Sequence, residues 1–307
     1  MNTDQISGET LWQWWQAACQ AEPLGQDSSL VAELNWLLAE VAGLDRLSLR
    51  LGDFRGHSKI TLSLPLADLN QLWQRRLQER VPIQYLLGVA PWRQFRLKVS
   101  PAVLIPRPET EGLIDLAVAA AEQSPIPRKF LEGLWADLGT GSGAIAIGLA
   151  TAFPLAIIHA VDRSPAALAV AQENIQELDL ATRIHLYQGS WLEPLIRLKG
   201  KLSGVVANPP YIPTGTLAQL QPEVSWHEPH LALDGGTDGL ESLRAIITAA
   251  PAYLRPGGVL LLEMMAGQEN SVRELLRQGE YTQVKIYPDL AGIERFALAY
   301  RRPESSL

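Results

Sequence analysis

The residues best equipped for chemistry in this chain are Asn208-Pro209-Pro210-Tyr211. Proline has no backbone N–H, and two in succession stiffen a turn. The carbonyl of Pro209 is therefore held with no neighbouring N–H competing for it. Asn208 adds a second neutral oxygen. Two fixed acceptors suit both N–H groups of a planar –NH₂, and Tyr211 supplies a ring to lie flat against that group. An amide or exocyclic amine nitrogen is a poor nucleophile because its lone pair is delocalised. Two acceptors orient it and return electron density to it, which is positioning plus electrostatics aimed at transition-state charge. No strong general base is needed, because the nitrogen's proton becomes acidic once a carbon has bonded.

A second set of residues suits a cofactor. Asp137-Leu138-Gly139-Thr140-Gly141-Ser142-Gly143 follows an apolar run and opens a helical one. Glycines there allow a tight turn and a close approach of backbone to ligand. Asp162 ends the next apolar run, where a carboxylate accepts hydrogen bonds from both hydroxyls of a ribose. Together these signals point to a nucleoside-containing cofactor. Gly139, Gly141 and Ala144 also satisfy the dinucleotide pattern, so a nicotinamide enzyme is one reading; it has no use for Asn-Pro-Pro-Tyr. A protein that binds the cofactor without catalysis is another, and it too has no need of that turn.

These motifs require a scaffold that brings strand ends together. From about residue 108 onward, strands alternate with helices. Strands are expected at 134–138, 155–162, 184–188, 202–207, 258–264, 281–287 and 295–300. Helices are expected at 143–153, from Ser164-Pro165 onward, at 240–254 and at 268–277. That alternation implies a doubly wound, mostly parallel seven-stranded sheet, with the last two strands antiparallel at one edge. Ligands sit outside the carboxyl ends of such strands. The chain before residue 85 reads as a small all-helical domain, with apolar residues at helical spacing in 9–21, 28–42 and 65–80. Five of the nine tryptophans (12, 14, 15, 36 and 73) fall there, either as its core or as a surface for a protein partner. Residues 81–107 read as extended, with a β-hairpin. The expected division is 1–85 helical, 86–107 hairpin linker and 108–307 the α/β domain.

Composition excludes several function classes. The 307 residues are 47% apolar, enough for a sizeable core. Net charge is −7, from 26 basic and 33 acidic residues, and both 1–90 (7 basic, 10 acidic) and 91–307 (19 and 23) are acidic. No basic face for gripping phosphate backbones is expected, hence no direct nucleic-acid binding. One cysteine, Cys19, excludes an intramolecular disulfide framework and Cys-clustered metal sites, and fits a reducing, cytoplasmic setting. The five histidines show no metal-ligand spacing, so no metal is expected. The 23 residues from Gly139 to Val161 lack Lys, Arg, Asp and Glu, but four glycines and Pro154 interrupt them. They read as a buried helix and strand rather than a membrane span.

The chain resembles the HemK/PrmC family, the protein-(glutamine-N5) methyltransferases that act on peptide-chain release factors. The resemblance runs nearly the whole length. It is carried by V-P-I-Q-Y-L-L-G at 81–88, V-S-P-A-V-L-I-P-R-P-E-T-E at 99–111, D-L-G-T-G-S-G at 137–143, N-P-P-Y-I at 208–212, E-P-H-L-A-L-D-G-G-T-D-G-L at 228–240 and D-L-A-G-I-E-R at 289–295. It implies a class I S-adenosylmethionine-dependent methyltransferase fold. It also implies transfer of a methyl group to the glutamine of a Gly-Gly-Gln loop in class I release factors. By this resemblance Gly139, Thr140, Gly141, Ser142 and Gly143 wrap the cofactor's methionine part, Asp162 holds its ribose and Trp191 lies beside its adenine. Asn208 lies between methyl donor and target, and Asn208, Pro209, Pro210 and Tyr211 hold the glutamine side chain. Arg107, Glu109 and Glu111 match the family's linker motif; they either approach the cofactor or simply start a helix with dipole-matched acids. The helical domain and hairpin would dock the release factor, and the enzyme would act as a monomer. Three departures stand out: Ser190, Glu263-Met264-Met265-Ala266, and Ser225-Trp226-His227. Two rival targets share the same turn. One is a ribosomal-protein glutamine. The other is the adenine N6 of DNA, which would need a flipped base and a basic channel.

Overall fold

The computed structural model describes residues 3–20, 28–124 and 127–303. The chain divides into two compact units, Met1–Gly88 and Val89–Leu307.

The first unit runs β1 (Asp4–Ile6), α1 (Gly8–Gln20), α2 (Ser28–Ala42), α3 (Arg46–Leu51), β2 (Ile60–Leu62), α4 (Leu66–Gln78) and α5 (Ile83–Leu87). It is mainly helical, as expected, and it adds an antiparallel ribbon of β1 with β2 that the all-helical reading lacks. Each strand has three residues, too short for a period of two to register. Helix α5 replaces part of the extended stretch expected at 81–107. Pro82 precedes it, and Gly88 ends it in the left-handed region at φ +70°, the usual proline-first, glycine-last pattern. Leu11, Leu34, Leu37, Leu38, Leu69 and Trp73 form the core. Trp73 is fully enclosed, whereas Trp12, Trp14, Trp15 and Trp36 pack half-buried against it. Trp12 stacks on Trp15 at 4.9 Å, and the Trp15 indole donates to Asn35 Oδ1 at 2.9 Å. These indoles serve the packing of the unit.

The second unit begins with a hairpin, β3 (Val89–Trp92) and β4 (Phe95–Lys98), followed by α6 (Gly112–Glu122) and α7 (Arg128–Leu131). There follow β5 (Leu134–Leu138), α8 (Ala144–Ala152), β6 (Ile157–Asp162), α9 (Pro165–Glu177), β7 (Ile184–Gln188), β8 (Leu202–Ala207) and α10 (Pro222–Ser225). The chain then forms α11 (Glu241–Ala249), β9 (Leu254–Glu263), α12 (Glu269–Gln278), β10 (Tyr281–Pro288) and β11 (Glu294–Arg301). The seven-stranded sheet has the order β10-β11-β9-β8-β5-β6-β7. Strands β5 to β9 are parallel; β11 lies antiparallel between β9 and β10. Alternate residues of each strand face opposite layers. Trp135, Ile158, Val206 and Leu261 face α6, α8 and α9, while Ala136, Val205 and Leu262 face α11 and α12. Pro251 ends α11 in a short 3₁₀ turn, earlier than the sequence reading placed it. From central β5 the chain first builds toward β7 and then returns to β8. The crevice beyond the carboxyl ends of β5 and β8 is therefore the switch point of the sheet.

The hairpin is built into this unit rather than free-standing as a linker. Trp92 and Leu97 belong to its core. The side chain of Asn174 on α9, 1% exposed, supplies a partner to β4. Its Oδ1 accepts Lys98 N–H at 2.6 Å, and its Nδ2 donates to the carbonyls of Lys98 at 3.0 Å and Ser142 at 2.9 Å. One carboxamide thus ties the hairpin to the glycine loop. Asn174→Ala leaves those three backbone groups without partners and should lower the unfolding free energy by about 3 kcal/mol, measured by urea denaturation.

Candidate active site

The glycine loop is held by the end of β6. Val161 O accepts the N–H of Gly139 at 2.8 Å and of Thr140 at 3.0 Å. Asp162 Oδ2 accepts Gly141 N–H at 2.9 Å, and Oδ1 accepts Ser164 N–H at 2.9 Å. Gly139, Gly141 and Gly143 all have positive φ, which explains their residue type. Gly143 then starts α8, and Ser164 caps α9 through its hydroxyl.

A cavity of about 370 Å³ opens beside this loop. Gly139, Gly141, Asp162, Ser190, Trp191, Asn208 and Pro210 line it. Of the residues singled out from sequence, Thr140, Ser142, Gly143, Pro209 and Tyr211 do not. Thr140 and Ser142 are buried in the loop's own bonding, with Thr140 Oγ1 donating to Asp137 Oδ2 at 2.6 Å. Pro209 is buried, and Tyr211 is turned toward Glu263.

The facing wall, residues 102–104 with Pro229 and Leu231, was not foreseen. The Arg107 guanidinium donates to buried Glu228 Oε1 at 2.7 Å, tying the two stretches together. Burial pushes the Glu228 carboxyl up, and the Arg107 charge opposes this. Glu111 accepts Arg93 N–H at 2.8 Å, so it secures the hairpin turn, and Glu109 is exposed.

The Asn-Pro-Pro-Tyr turn rests on two supports. Gln268, at the start of α12, donates to Tyr211 O at 3.0 Å and Gly239 O at 3.1 Å. Glu263, at the end of β9, accepts Tyr211 OH at 3.1 Å and Thr110 Oγ1 at 2.7 Å. Thr110 Oγ1 in turn accepts Asn208 Nδ2 at 3.1 Å. Burial pushes both the Glu263 carboxyl and the Tyr211 phenol upward, and Thr110, Tyr211 and Arg295 oppose this at Glu263. Sequence reasoning missed Thr110 and the role of Glu263. The available signal was an acid closing the apolar run Val259–Leu262, where a lone charge needs partners.

The residues fit a nucleoside-bearing cofactor. Asp162 retains a lone pair on each oxygen after its two backbone bonds. A Cβ at Gly141 would enter open space, and one at Gly139 would lie 3.6 Å from the Trp191 ring. Glycine, aromatic ring and carboxylate thus frame one cradle. Among the described residues, no group of three or more His, Cys, Asp or Glu is placed to hold a metal.

Asp137 lies beneath the loop, fully buried, with Oδ2 accepting from Thr140 and Ala146 and Oδ1 unpartnered. Desolvation raises its pKa from 3.8 to about 7. The folded chain thus keeps a proton between about pH 4 and 7 that the unfolded chain has lost, so stability falls as pH rises through that window. Asp137→Asn never becomes charged. Its melting temperature without cofactor should exceed that of the parent at about pH 8.5, and the gap should shrink toward about pH 5.

Comparison with known proteins places the chain. Residues 123–221, which hold the glycine loop, Asp162 and the Asn208 turn, match the model of the methyltransferase small domain. The release factor glutamine methyltransferase of Thermosynechococcus vestitus is 52% identical over 295 residues, covering 96% of this chain and 99% of that protein. The Synechocystis protein of the same name is 50% identical over 301 residues, covering 97% and 99%. The fold is shared with the hMettl16 catalytic domain solved in complex with MAT2A 3'UTR hairpin 6: TM-score 0.55, 16% identity, 81% of this chain and 86% of that one. With half of its residues identical to those relatives across almost their whole length, and the motif-bearing loops gathered at one cavity, this chain belongs to the release factor glutamine methyltransferase family.

Proposed function

We propose that this protein transfers a methyl group from S-adenosylmethionine to the side-chain amide nitrogen (N5) of the glutamine in the Gly-Gly-Gln motif of peptide-chain release factors. The observation that carries this reading is the position of Asn208. It lies on the wall of the cavity that Asp162 and Trp191 also line, with its Nδ2 already committed to Thr110. Among the described residues its Oδ1 takes no hydrogen bond, so an acceptor faces the cofactor cradle.

The bound cofactor supplies an electrophilic methyl on a sulfonium. Asp162 would accept from its ribose hydroxyls, the Gly139–Gly143 loop would give its methionine part room, and Trp191 would pack on its adenine. Asn208 Oδ1 and the Pro209 carbonyl each accept one N–H of the glutamine amide. That would orient the nitrogen and push density onto it. Transfer of that methyl to the nitrogen would be balanced by the sulfur keeping the electron pair of the S–C bond. The nitrogen then loses a proton to water, and no side chain needs to act as a strong base. Tyr211 packs against the amide's carbon end, its hydroxyl anchored on Glu263.

The release factor is the partner that family membership supports. The helical unit, whose Leu47 and Leu51 are 63% and 66% exposed on one face of α3, suits its docking. A cytoplasmic site of action fits a translation substrate. Among the described residues no helix is long and apolar enough to cross a membrane.

The test is methyl transfer from labelled S-adenosylmethionine to purified class I release factor, to its Gly-Gly-Ala version, to ribosomal proteins and to duplex DNA. Label on the intact release factor alone supports the reading. Label on a ribosomal protein or on DNA would replace the target. Asn208→Ala should cut kcat at least about 100-fold while leaving cofactor affinity within about twofold. Asp162→Ala should weaken cofactor binding about tenfold or more, read by calorimetry.

A further inference from the structure

We infer that Thr110 and Glu263 are positioning residues that set which face of the Asn208 carboxamide looks into the cavity. The inference rests on the reading of Asn208 as acceptor for the substrate amide. The two ends of a carboxamide have nearly the same shape and opposite hydrogen-bonding character. A flipped Asn208 would set –NH₂ against the –NH₂ of its target, so the turn works only if one orientation is enforced.

The enforcement is a matter of counting protons. A threonine hydroxyl has one proton to give. Thr110 gives it to Glu263 Oε2 at 2.7 Å. Toward Asn208 the Thr110 oxygen can then only accept. Nδ2 must face it, at 3.1 Å, and Oδ1 must face away. The second carboxylate oxygen of Glu263 accepts Tyr211 OH. A single acid at the end of β9 therefore fixes both ends of Asn208-Pro209-Pro210-Tyr211, one through Thr110 and one directly. The acid is 1% exposed, and Arg295 is the cation in its field. The Arg295 guanidinium is itself held by Asp289 at 2.8 Å. Glu263 does not line the cavity, so its effect on the reaction must pass through Thr110 and Tyr211.

Steady-state methylation of an intact release factor, with calorimetric cofactor affinity, tests this in four variants. Thr110→Val keeps the shape and removes the hydroxyl. It should lower kcat about tenfold, with cofactor Kd within about twofold. Thr110→Ser restores the hydroxyl and should return kcat to within about threefold of the parent. Glu263→Gln puts a donor where the chain of bonds needs an acceptor, and should lower kcat at least as much as Thr110→Val. Adding Thr110→Val to Glu263→Gln should cost little more than Glu263→Gln alone, because both break one chain. Equal impairment of the Val and Ser variants would make the effect one of packing and overturn the inference. So would a Thr110→Val enzyme with parental kcat while Asn208→Ala is inactive, an outcome that leaves the role of Asn208 standing. Parental kcat in Asn208→Ala would remove that role, and the inference with it.

Discussion

One strand end carries the architecture of the site. The Val161 carbonyl and the Asp162 carboxylate, at the tip of β6, take three N–H groups from the glycine loop at the tip of neighbouring β5. A loop with three glycines at positive φ has few side chains to pin it and a large entropy to lose. Without those acceptors it would sample many shapes. With them it becomes a rigid lip, and the same carboxylate still has lone pairs facing the cavity. Parallel pairing makes this possible, because β5, β6 and β8 all deliver their carboxyl ends to one edge.

Around that lip, two ion pairs hold the walls of the site, while the groups proposed to hold the target are neutral. Arg107 with Glu228 holds the facing wall, and Arg295 with Asp289 stands behind Glu263. Buried charges are costly unless paired. Neither pair is hydrogen-bonded to the groups proposed to touch the reacting nitrogen, which are a carboxamide and a peptide carbonyl.

Much of this was legible in sequence, because local rules wrote it. Helical and strand periods located the sheet, and they placed the glycine loop, Asp162 and the Asn208 turn at strand ends, where residues of all three line one cavity. What escaped was either very short or very distant. Strands β1 and β2 are too brief to show a period, and α5 was hidden in a run that looked extended. Thr110 and Glu263 meet across 153 positions, and Thr110 lies in a segment whose acids drew the eye instead. Only the packing of α6 and its preceding 3₁₀ turn against β9 brings them together. The division at the hairpin was blurred for a similar reason: the partner of β4 is a side chain on α9, not a third strand.

The Pro-Pro turn has a consequence for discrimination. Its two prolines carry no N–H, and one N–H of the Asn208 carboxamide is held by Thr110. The acceptors proposed for the target's –NH₂ are the Asn208 Oδ1 and the Pro209 carbonyl. A glutamate side chain there, as arises when glutamine deamidates, would bring lone pairs against lone pairs and leave each acceptor unsatisfied. Loss of a hydrogen-bonding partner at a site built for it is the form of mismatch that buried polar groups reject most strongly. On the proposed seat, a glutamate would be disfavoured by two acceptors left without partners rather than by a repelling charge.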